Sequence, residues 1–359
     1  MKNIAFAFSD DGAYENVNPV RLELLKNQNI LTCGIVSGRA LERNINSGLF
    51  FFADNVIDYK TNIKTFCKFF SGIDALVLGV SQGSSLEFEL VKALKGICPI
   101  YVLPDAWTSF SAPGFWKNGY NLPDYVLVND DLGEIGARYW GFNGEVKVLG
   151  SPTFDAYFKI NKFKKMKLDL PLVLFIGQGT GESGDIPILR DLVNILNDEF
   201  FKEVFFYPKE HPRMRSELFS ESREWDNIVN TFKDKNRLLV GNDYNLDDML
   251  FSSKVVISDF STVLNKAVLL RKDIISIAYP DLEIVKGYFS RHTWTNGVFP
   301  LVSLNCALEA KSKNELCMLI KRSMEDGFGL EDNQRQYFTT DGKNSERVAN
   351  FILETISAV

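Results

Sequence analysis

The segment Ala75-Leu76-Val77-Leu78-Gly79-Val80, followed directly by Ser81-Gln82-Gly83-Ser84-Ser85, decides the fold class. A short apolar run that ends in small polar residues is typical of a strand buried on both faces of a parallel sheet. The residues that follow, 85–95, have a helical pattern. The same unit, an apolar run followed by small or acidic residues, recurs in the first half of the chain at 4–12, 31–38, 100–105 and 125–131. Strands that alternate with helices predict a doubly wound α/β domain with right-handed crossovers.

The pattern starts again after a polar, basic stretch at residues 161–170. Further strands are predicted at 172–176, 203–207, 237–240, 255–257 and 274–277, and helices at 186–200 and 246–251. A length of 359 residues also suits two domains. We therefore predict two Rossmann-like domains at residues 1–160 and 171–340, and a final helix within 341–359 that can pack back on the first domain.

The position of a ligand site follows from this architecture. In open α/β sheets, ligands bind beyond the carboxyl ends of the strands. Two such sheets that face each other form an interdomain cleft, and the small and acidic strand tails are expected to point into it.

Composition excludes several classes of protein. The net charge of −6 and the absence of a broad basic region argue against nucleic acid as a partner. The five cysteines are scattered without a C-x-x-C pair, so neither a metal site nor a redox dithiol is predicted, and no cofactor is implied. Without a signal peptide or a long apolar run, we expect a cytoplasmic protein. The basic run at 162–167 is a solvated linker or, alternatively, a weak contact with an anionic membrane, which would place the protein at the inner face of the membrane.

One candidate site segment is Lys209-Glu210-His211-Pro212-Arg213, directly after a predicted strand. Pro212 disfavours helix at His211 and fixes the imidazole on a rigid loop. Because Lys209, His211 and Arg213 alternate on an extended segment, they can form a cationic pocket for a phosphate. The alternative is a surface turn with incidental charge.

A second segment is Ser258-Asp259-Phe260-Ser261-Thr262, where a buried strand ends and a helix is expected to begin near Ser261. Hydroxyl groups at a helix start either cap the helix or bind a phosphate together with free backbone N–H groups.

The third segment, residues 177–185, is rich in glycine and lacks the lysine of a Walker loop. Gly177 and Gly179, followed after Thr180 by Gly181, resemble a dinucleotide fingerprint only loosely. Such a loop lets a diphosphate or a sugar approach the backbone closely.

Carboxylates also follow strands in the first half: Asp10 and Asp11 follow the first strand, and Asp105 follows a later one. A carboxylate at a strand end is a candidate for the base that deprotonates an acceptor hydroxyl. All three residues can equally be helix caps or turn residues.

Together these segments resemble the GT-B superfamily of glycosyltransferases, most closely its bacterial surface-polysaccharide branches. Capsule Kdo transferases, polysialyltransferases and CDP-glycerol glycerophosphotransferases share a Lys-x-His-Pro segment, here at residues 209–212, and a later Asp-Tyr/Phe-Ser-Ser/Thr segment, here at 259–262. The resemblance implies that His211, Ser261 and Thr262 hold the nucleotide phosphate of the donor.

The hydrolysing UDP-N-acetylglucosamine 2-epimerases resemble the same region. Their Asp-Ser-Gly-Gly-Ile-Gln-Glu-Glu segment aligns with residues 259–266, but Ser261-Thr262 replace the paired glycines and Asn265-Lys266 replace the glutamates. The loss of those carboxylates argues against epimerase chemistry. The His-Gly pair of the glycerophosphotransferases is also missing from the first half.

The resemblance therefore implies transfer of a glycosyl group from a CMP- or UDP-sugar to a glycan or lipid-linked acceptor in surface polysaccharide synthesis. His211, Lys209 and Arg213 would stabilise the leaving phosphate, and Asp10, Asp11 or Asp105 would be the base. The alternatives are a nucleotide-sugar 2-epimerase or hydrolase, in which water replaces the acceptor, and a non-catalytic binding protein.

Overall fold

The computed structural model describes residues 1–36, 51–53, 72–81, 86–107, 109–111, 123–158, 163–211, 214, 222–241, 244–338 and 340–357. The chain divides into two compact units. Unit 1 comprises Met1–Phe158 and Thr340–Val359, and unit 2 comprises Lys159–Thr339. The last residues of the chain thus belong to the unit that contains the first ones.

Unit 1 is built on a parallel sheet with the strand order β3-β2-β1-β4-β5-β6-β7. The strands are β1 (Lys2–Phe8), β2 (Ile30–Val36), β3 (Phe51–Ala53), β4 (Ala75–Leu78), β5 (Ile100–Val102), β6 (Tyr125–Val128) and β7 (Glu145–Val148). Every residue of β4 and β5 is buried, as their continuous apolar sequences predict. The order reverses between β1 and β4, and a reversal of this kind opens a crevice at the carboxyl ends of the two strands.

Helices cover the sheet of unit 1: α1 (Asp11–Leu24), α2 (Leu86–Leu94), α3 (Asp131–Tyr139) and α12 (Asn344–Ser357). The C-terminal helix α12 packs on α1 through Val348, Ala349, Ile352 and Ile356, which lie in one apolar core with Val17 and Val20 of α1.

A single carboxylate fixes the start of α12. The side chain of Asp155 accepts hydrogen bonds from the backbone N–H groups of Asn344 (2.9 Å) and Ser345 (2.7 Å). The first N–H groups of a helix have no partner within the helix, and an acidic side chain there also suits the helix dipole.

Unit 2 is built on a second parallel sheet with the order β12-β11-β10-β8-β9. The strands are β8 (Leu172–Ile176), β9 (Phe205–Lys209), β10 (Val255–Ser258), β11 (Asp273–Ile277) and β12 (Leu308–Ala310). The helices are α4 (Asp185–Leu196), α5 (Ser222–Asn230), α6 (Leu246–Ser252), α7 (Val263–Leu269), α8 (Glu283–Arg291), α9 (Pro300–Ser303), α10 (Lys313–Glu325) and α11 (Glu331–Tyr337). In this sheet the order reverses between β8 and β10, so the crevice is expected there.

One predicted strand of unit 2 is wrong. Residues 237–240 do not form a strand: Lys235–Arg237 is a 3-10 turn, and only Leu238 bridges to Phe206. Arg237 bonds to the carbonyl oxygens of Phe201 (2.7 Å) and Val204 (3.0 Å), so this segment is held by a side chain rather than by a ladder. The predicted helix start near Ser261 is also two residues early, because α7 begins at Val263.

Candidate functional site

Three segments leave the same edge of the unit 2 sheet. We call them the strand-end segments: residues 177–184 after β8, 209–211 at the end of β9, and 258–262 at the end of β10. The backbone N–H of Gly177 donates to the carbonyl oxygen of Lys209 (2.9 Å), and the hydroxyl of Ser258 donates to the carbonyl oxygen of Ile176 (2.6 Å). The first bond joins the ends of β8 and β9, and the second joins the ends of β8 and β10, where the strand order reverses.

The β9 end carries the cationic residues. Lys209 is the last residue of β9 and is partly buried, as is His211 two residues later. Burial lowers the pKa of the Lys209 ammonium, and the neighbouring Glu210 carboxylate acts in the opposite direction. A desolvated ammonium is a strong partner for a phosphate oxygen, since the anion restores the lost solvation. Arg213 lies outside the described residues.

The hydroxyl groups of the β10 end differ in what they can reach. Ser258 is fully buried, and its hydroxyl is used by the sheet. Ser261 is also buried and accepts the N–H of Val263 (3.2 Å). Thr262 is exposed and precedes α7 without a side-chain capping bond. Thr262 is therefore the hydroxyl that is most accessible to a ligand, and Ser258 and Ser261 shape the turn.

The glycine-rich segment is folded around a carboxylate. The backbone N–H groups of Gln178 (2.9 Å) and Thr180 (2.9 Å) donate to the side chain of Asp185, the first residue of α4. The N–H of Asp185 donates in turn to the hydroxyl of Thr180 (2.9 Å). Gly179 has a φ of 71°, a left-handed conformation that glycine adopts without strain. The N–H groups of Gln178 and Thr180 are occupied by Asp185. The segment therefore lets a ligand approach the backbone closely but does not offer these two N–H groups to it.

A second buried carboxyl group, Asp259, lies beside this loop. Asp185 is 1% exposed and Asp259 is 2% exposed. Burial raises the pKa of both groups, and the Asp185 charge adds to the effect on Asp259, whose pKa rises to about 8. The backbone N–H bonds to Asp185 favour its ionised form.

Unit 1 carries a different carboxylate pair at its own strand reversal. Asp10 follows β1 and caps α1 by accepting the N–H of Ala13 (2.8 Å). The hydroxyl oxygen of Ser81, after β4, accepts the N–H groups of Ser9 (3.0 Å) and Asp10 (3.1 Å). The two strand ends are thereby tied together.

Asp105, after β5, completes this group. One of its oxygens accepts the hydroxyl of Ser109, and a Cβ atom placed on Gly12 would stand 2.5 Å from the other oxygen. Burial raises the pKa of Asp105 to about 6; the bond from Ser109 opposes the shift, and the charges of Asp10 and Glu15 add to it. Asp105 is nevertheless partly exposed. A reachable carboxylate with a raised pKa has the properties of a general base near neutral pH.

The three carboxylates that the sequence could not rank have different surroundings in the structure. Asp11 is exposed in the first turn of α1, where an acidic side chain suits the helix dipole. Asp10 is a helix cap that lies close enough to Asp105 to act on its charge. Asp105 combines partial exposure with a pKa that burial raises.

Sequence reasoning assigned no role to Asp185 or Ser109. The signal for Asp185 is its position, because an acidic residue directly after a glycine-rich loop and at a helix start can collect the loop amides. Ser109 gave no comparable signal, since its contact with Asp105 depends on a turn at Ser109–Ser111.

Two negative findings apply to the described parts of the chain. Within them, no helix has both the length and the apolar character needed to cross a bilayer. Nor does this portion of the chain contain a cluster of three or more histidine, cysteine, aspartate or glutamate side chains arranged to hold a metal ion.

Comparisons with known proteins identify the fold. Neither the protein-family models nor the curated proteins yield a match. Among solved structures, the S. aureus MnaA–UDP co-structure is similar with a TM-score of 0.72 and 12% identity, over 100% of this chain and 98% of that chain. The UDP-GlcNAc 2-epimerase from Neisseria meningitidis bound to UDP-GlcNAc gives 0.71 and 11%, over 98% and 100%. A glycosyltransferase from Rickettsia africae gives 0.62 and 10%, over 98% and 99%.

These likenesses extend over the whole chain and confirm the predicted fold. The protein has the GT-B fold of two Rossmann-like domains, which UDP-GlcNAc 2-epimerases and glycosyltransferases share. At 10 to 12% identity the likeness concerns the fold and not the reaction.

Proposed function

We propose that the protein is an enzyme that binds a nucleotide-activated sugar and breaks the bond between the sugar and the nucleotide phosphate. The observation that carries this proposal is the meeting of the three strand-end segments at the strand reversal of unit 2. There Lys209 supplies positive charge, His211 supplies an imidazole N–H group and Thr262 supplies a hydroxyl group, which together suit a diphosphate. Arg213 would extend the same cationic segment.

The breaking of the bond leaves negative charge on the departing phosphate. Lys209 and His211 would stabilise that charge more strongly than the charge of the bound substrate, and such a difference accelerates the reaction. Asp105 would take the proton from the hydroxyl group or the water molecule that reacts with the sugar. Asp10 would keep Asp105 basic by its nearby charge.

Two reactions share this step. In the first, no acceptor takes part: in a hydrolase water attacks the sugar, and in a UDP-sugar 2-epimerase a base would remove the C2 proton as the phosphate leaves, and a proton would return to the other face of C2. In its favour, the epimerase from Neisseria meningitidis gives a TM-score of 0.71, whereas the Rickettsia glycosyltransferase gives 0.62. We place this candidate first.

The second reaction is transfer of the sugar to a glycan or lipid-linked acceptor, from a UDP- or CMP-sugar. Asn265 and Lys266 favour it, because these α7 residues stand where the aligned epimerase segment has two glutamates. A role in surface polysaccharide synthesis at the inner face of a membrane belongs to this second candidate.

Incubation of the purified protein with UDP-GlcNAc, other UDP-sugars and CMP-sugars separates the candidates. Turnover without an acceptor, with a new sugar epimer or free sugar, supports the first reaction. Nucleotide release that requires an added glycan supports the second. Binding without turnover under both conditions would contradict the proposal of an enzyme.

The phosphate role of His211 is tested by the stabilisation that UDP gives, since a ligand that binds only the folded state raises the Tm. We expect His211→Ala to lose most of the UDP-dependent rise, and Lys209→Gln to lose a large part of it. The matched control is Lys233→Gln, an exposed lysine of the same unit. An undiminished rise in both site variants would remove the phosphate site from this edge of the sheet.

A further inference from the structure

The Asp185–Asp259 pair is not used by the chemistry proposed above. The two residues come from neighbouring strand ends, because β8 and β10 pair in parallel with Ile257 opposite Phe175. Asp259 is the first residue after β10, and Asp185 collects the loop that follows β8. Two carboxylates that are both buried cannot both ionise at low cost, so a proton has to be held between them or the pair has to be solvated.

The contacts of the two side chains are unequal. The Asp185 carboxylate accepts the backbone N–H groups of Gln178 and Thr180, which stabilise its negative charge. Asp259 accepts one N–H group at Oδ1, from Phe260 (2.8 Å). Its other oxygen, Oδ2, is buried and has no hydrogen-bond partner within the described residues. A buried carboxyl oxygen in this position is satisfied when it carries the proton and donates to an acceptor.

Among the described residues, two further titratable groups lie on this side of Asp259, Tyr288 and His292, and neither supplies a counter-charge. Tyr288 of α8 is buried, and burial together with the charge of Asp259 raises its pKa, so the phenol stays neutral. His292 packs on Tyr288 with the ring centroids 4.7 Å apart, and burial lowers the pKa of His292 to about 4. Asp185 is therefore the charged acceptor that acts on Asp259.

We propose that Asp259 is a positioning residue whose protonated carboxyl group donates a hydrogen bond to the Asp185 carboxylate, so that one shared proton joins the glycine-rich segment to the 258–262 turn. The Asp185 carboxylate then has three partners: the N–H groups of Gln178 and Thr180 and the carboxylic acid of Asp259. A shift of either strand-end segment would break this contact.

The proton thereby becomes part of the nucleotide site. When Asp259 loses its proton, two negative charges face each other, and the segments that carry Gly179 and Thr262 are pushed apart. The negative charge also repels a diphosphate held at the same edge. Binding of an anionic nucleotide should then weaken as the pH rises through about 8.

The apo protein provides the first test, which is independent of any nucleotide. Carboxyl-carbon NMR of aspartate-labelled protein follows the titration of Asp259, assigned with Asp259→Asn. We expect Asp259 to titrate in the neutral to alkaline range in the wild type and nearer its ordinary pKa in Asp185→Asn. Titration of Asp259 at its ordinary pKa in the wild type would overturn the proposal.

The second test uses UDP binding across neutral and alkaline pH and rests on the proposed nucleotide site. Asp259→Asn keeps a donor of the same shape that cannot lose a proton. Between neutral and alkaline pH we expect wild-type affinity to fall about tenfold more than the affinity of Asp259→Asn, because the variant keeps only the pH dependence of Lys209 and His211. A purely structural role would leave the slope unchanged in the variant, and an unchanged slope overturns the proposal.

The two tests distinguish the possible failures. If UDP does not bind but Asp259 shows the raised titration and the dependence on Asp185, the proposed function fails and the shared proton stands. If UDP binds with the expected loss in His211→Ala but Asp259 titrates normally, the shared proton fails and the proposed function stands.

Discussion

Each unit of the protein has a pair of aspartates at its strand reversal, and the two pairs differ in access to solvent. Asp105 and Asp10 in unit 1 are partly exposed, and Asp105 has a pKa raised to about 6. Asp185 and Asp259 in unit 2 are sealed, and the pKa of Asp259 is raised to about 8. The carboxyl edges of the two sheets thus hold one partly exposed carboxyl group and one that is sealed within the protein.

The difference follows from what surrounds each pair. In unit 1, Gly12 of α1 lies against one oxygen of Asp105, so no α1 side chain covers the carboxylate at that position. In unit 2 both carboxyl groups are buried, and the amides of the glycine-rich segment bond to Asp185. Burial alone does not make a catalytic carboxylate, because a group that no substrate can reach serves only to hold the structure.

The largest effect on the rate of turnover is expected for Asp105 of unit 1. Asp105→Asn should lower the rate of nucleotide-sugar turnover by about 10²- to 10⁴-fold, since the amide cannot accept a proton. Its Tm should not fall, because the variant removes a charge that burial disfavours.

The control for this change is Asp11→Asn, an exposed neighbour on α1. It should leave the rate within about twofold of the wild type. A rate in Asp105→Asn equal to that of the control would show that Asp105 is not the base.

A smaller effect is expected from the charged member of the unit 2 pair. Asp185→Asn should lower the free energy of unfolding by about 2–3 kcal/mol, because the N–H groups of Gln178 and Thr180 lose a charged acceptor. Denaturant titration measures this loss. The control Asp332→Asn removes an exposed ion pair with Arg335 and should cost less than about 1 kcal/mol. Equal losses in the two variants would contradict the structural role of Asp185.

The smallest effect concerns the pH dependence of stability. Because the pKa of Asp259 is higher in the folded chain than in the unfolded chain, the folded state binds the extra proton and stability falls as the pH rises from about 4 to about 8. Asp259→Asn removes this slope and should gain about 1–2 kcal/mol over the wild type at the alkaline end. Parallel curves for variant and wild type, measured by thermal unfolding over this range, would mean that Asp259 is ionised in both states.

The fold was predictable because its determinants are local. The apolar run at β4 and the small residues after it are read directly from consecutive residues, and so is the restart of the pattern at β8. The segment at 237–240 was wrongly predicted as a strand. It is held by the side chain of Arg237, whose acceptors lie more than thirty positions earlier in the chain, so neighbouring residues carry no sign of it.

The site was predictable only in part, for the same physical reason. Lys209, His211 and Thr262 could be proposed from their positions after strands. The choice of Asp105 over Asp10 and Asp11 depends on Gly12 and Ser109, which meet it only in the folded chain. The conformation of the glycine-rich segment likewise depends on its bonds to Asp185. The spacing of the glycines alone does not distinguish loop amides that bind a carboxylate of the protein from loop amides that can bind a phosphate.

The proposed function requires that the three strand-end segments of unit 2 form one nucleotide phosphate site. Amide NMR of the labelled protein during titration with UDP tests this requirement residue by residue. We expect saturable shifts concentrated at residues 177–180, 209–211 and 261–262, and their loss in His211→Ala. Shifts that are absent, or that fall outside all three segments, would contradict the claim.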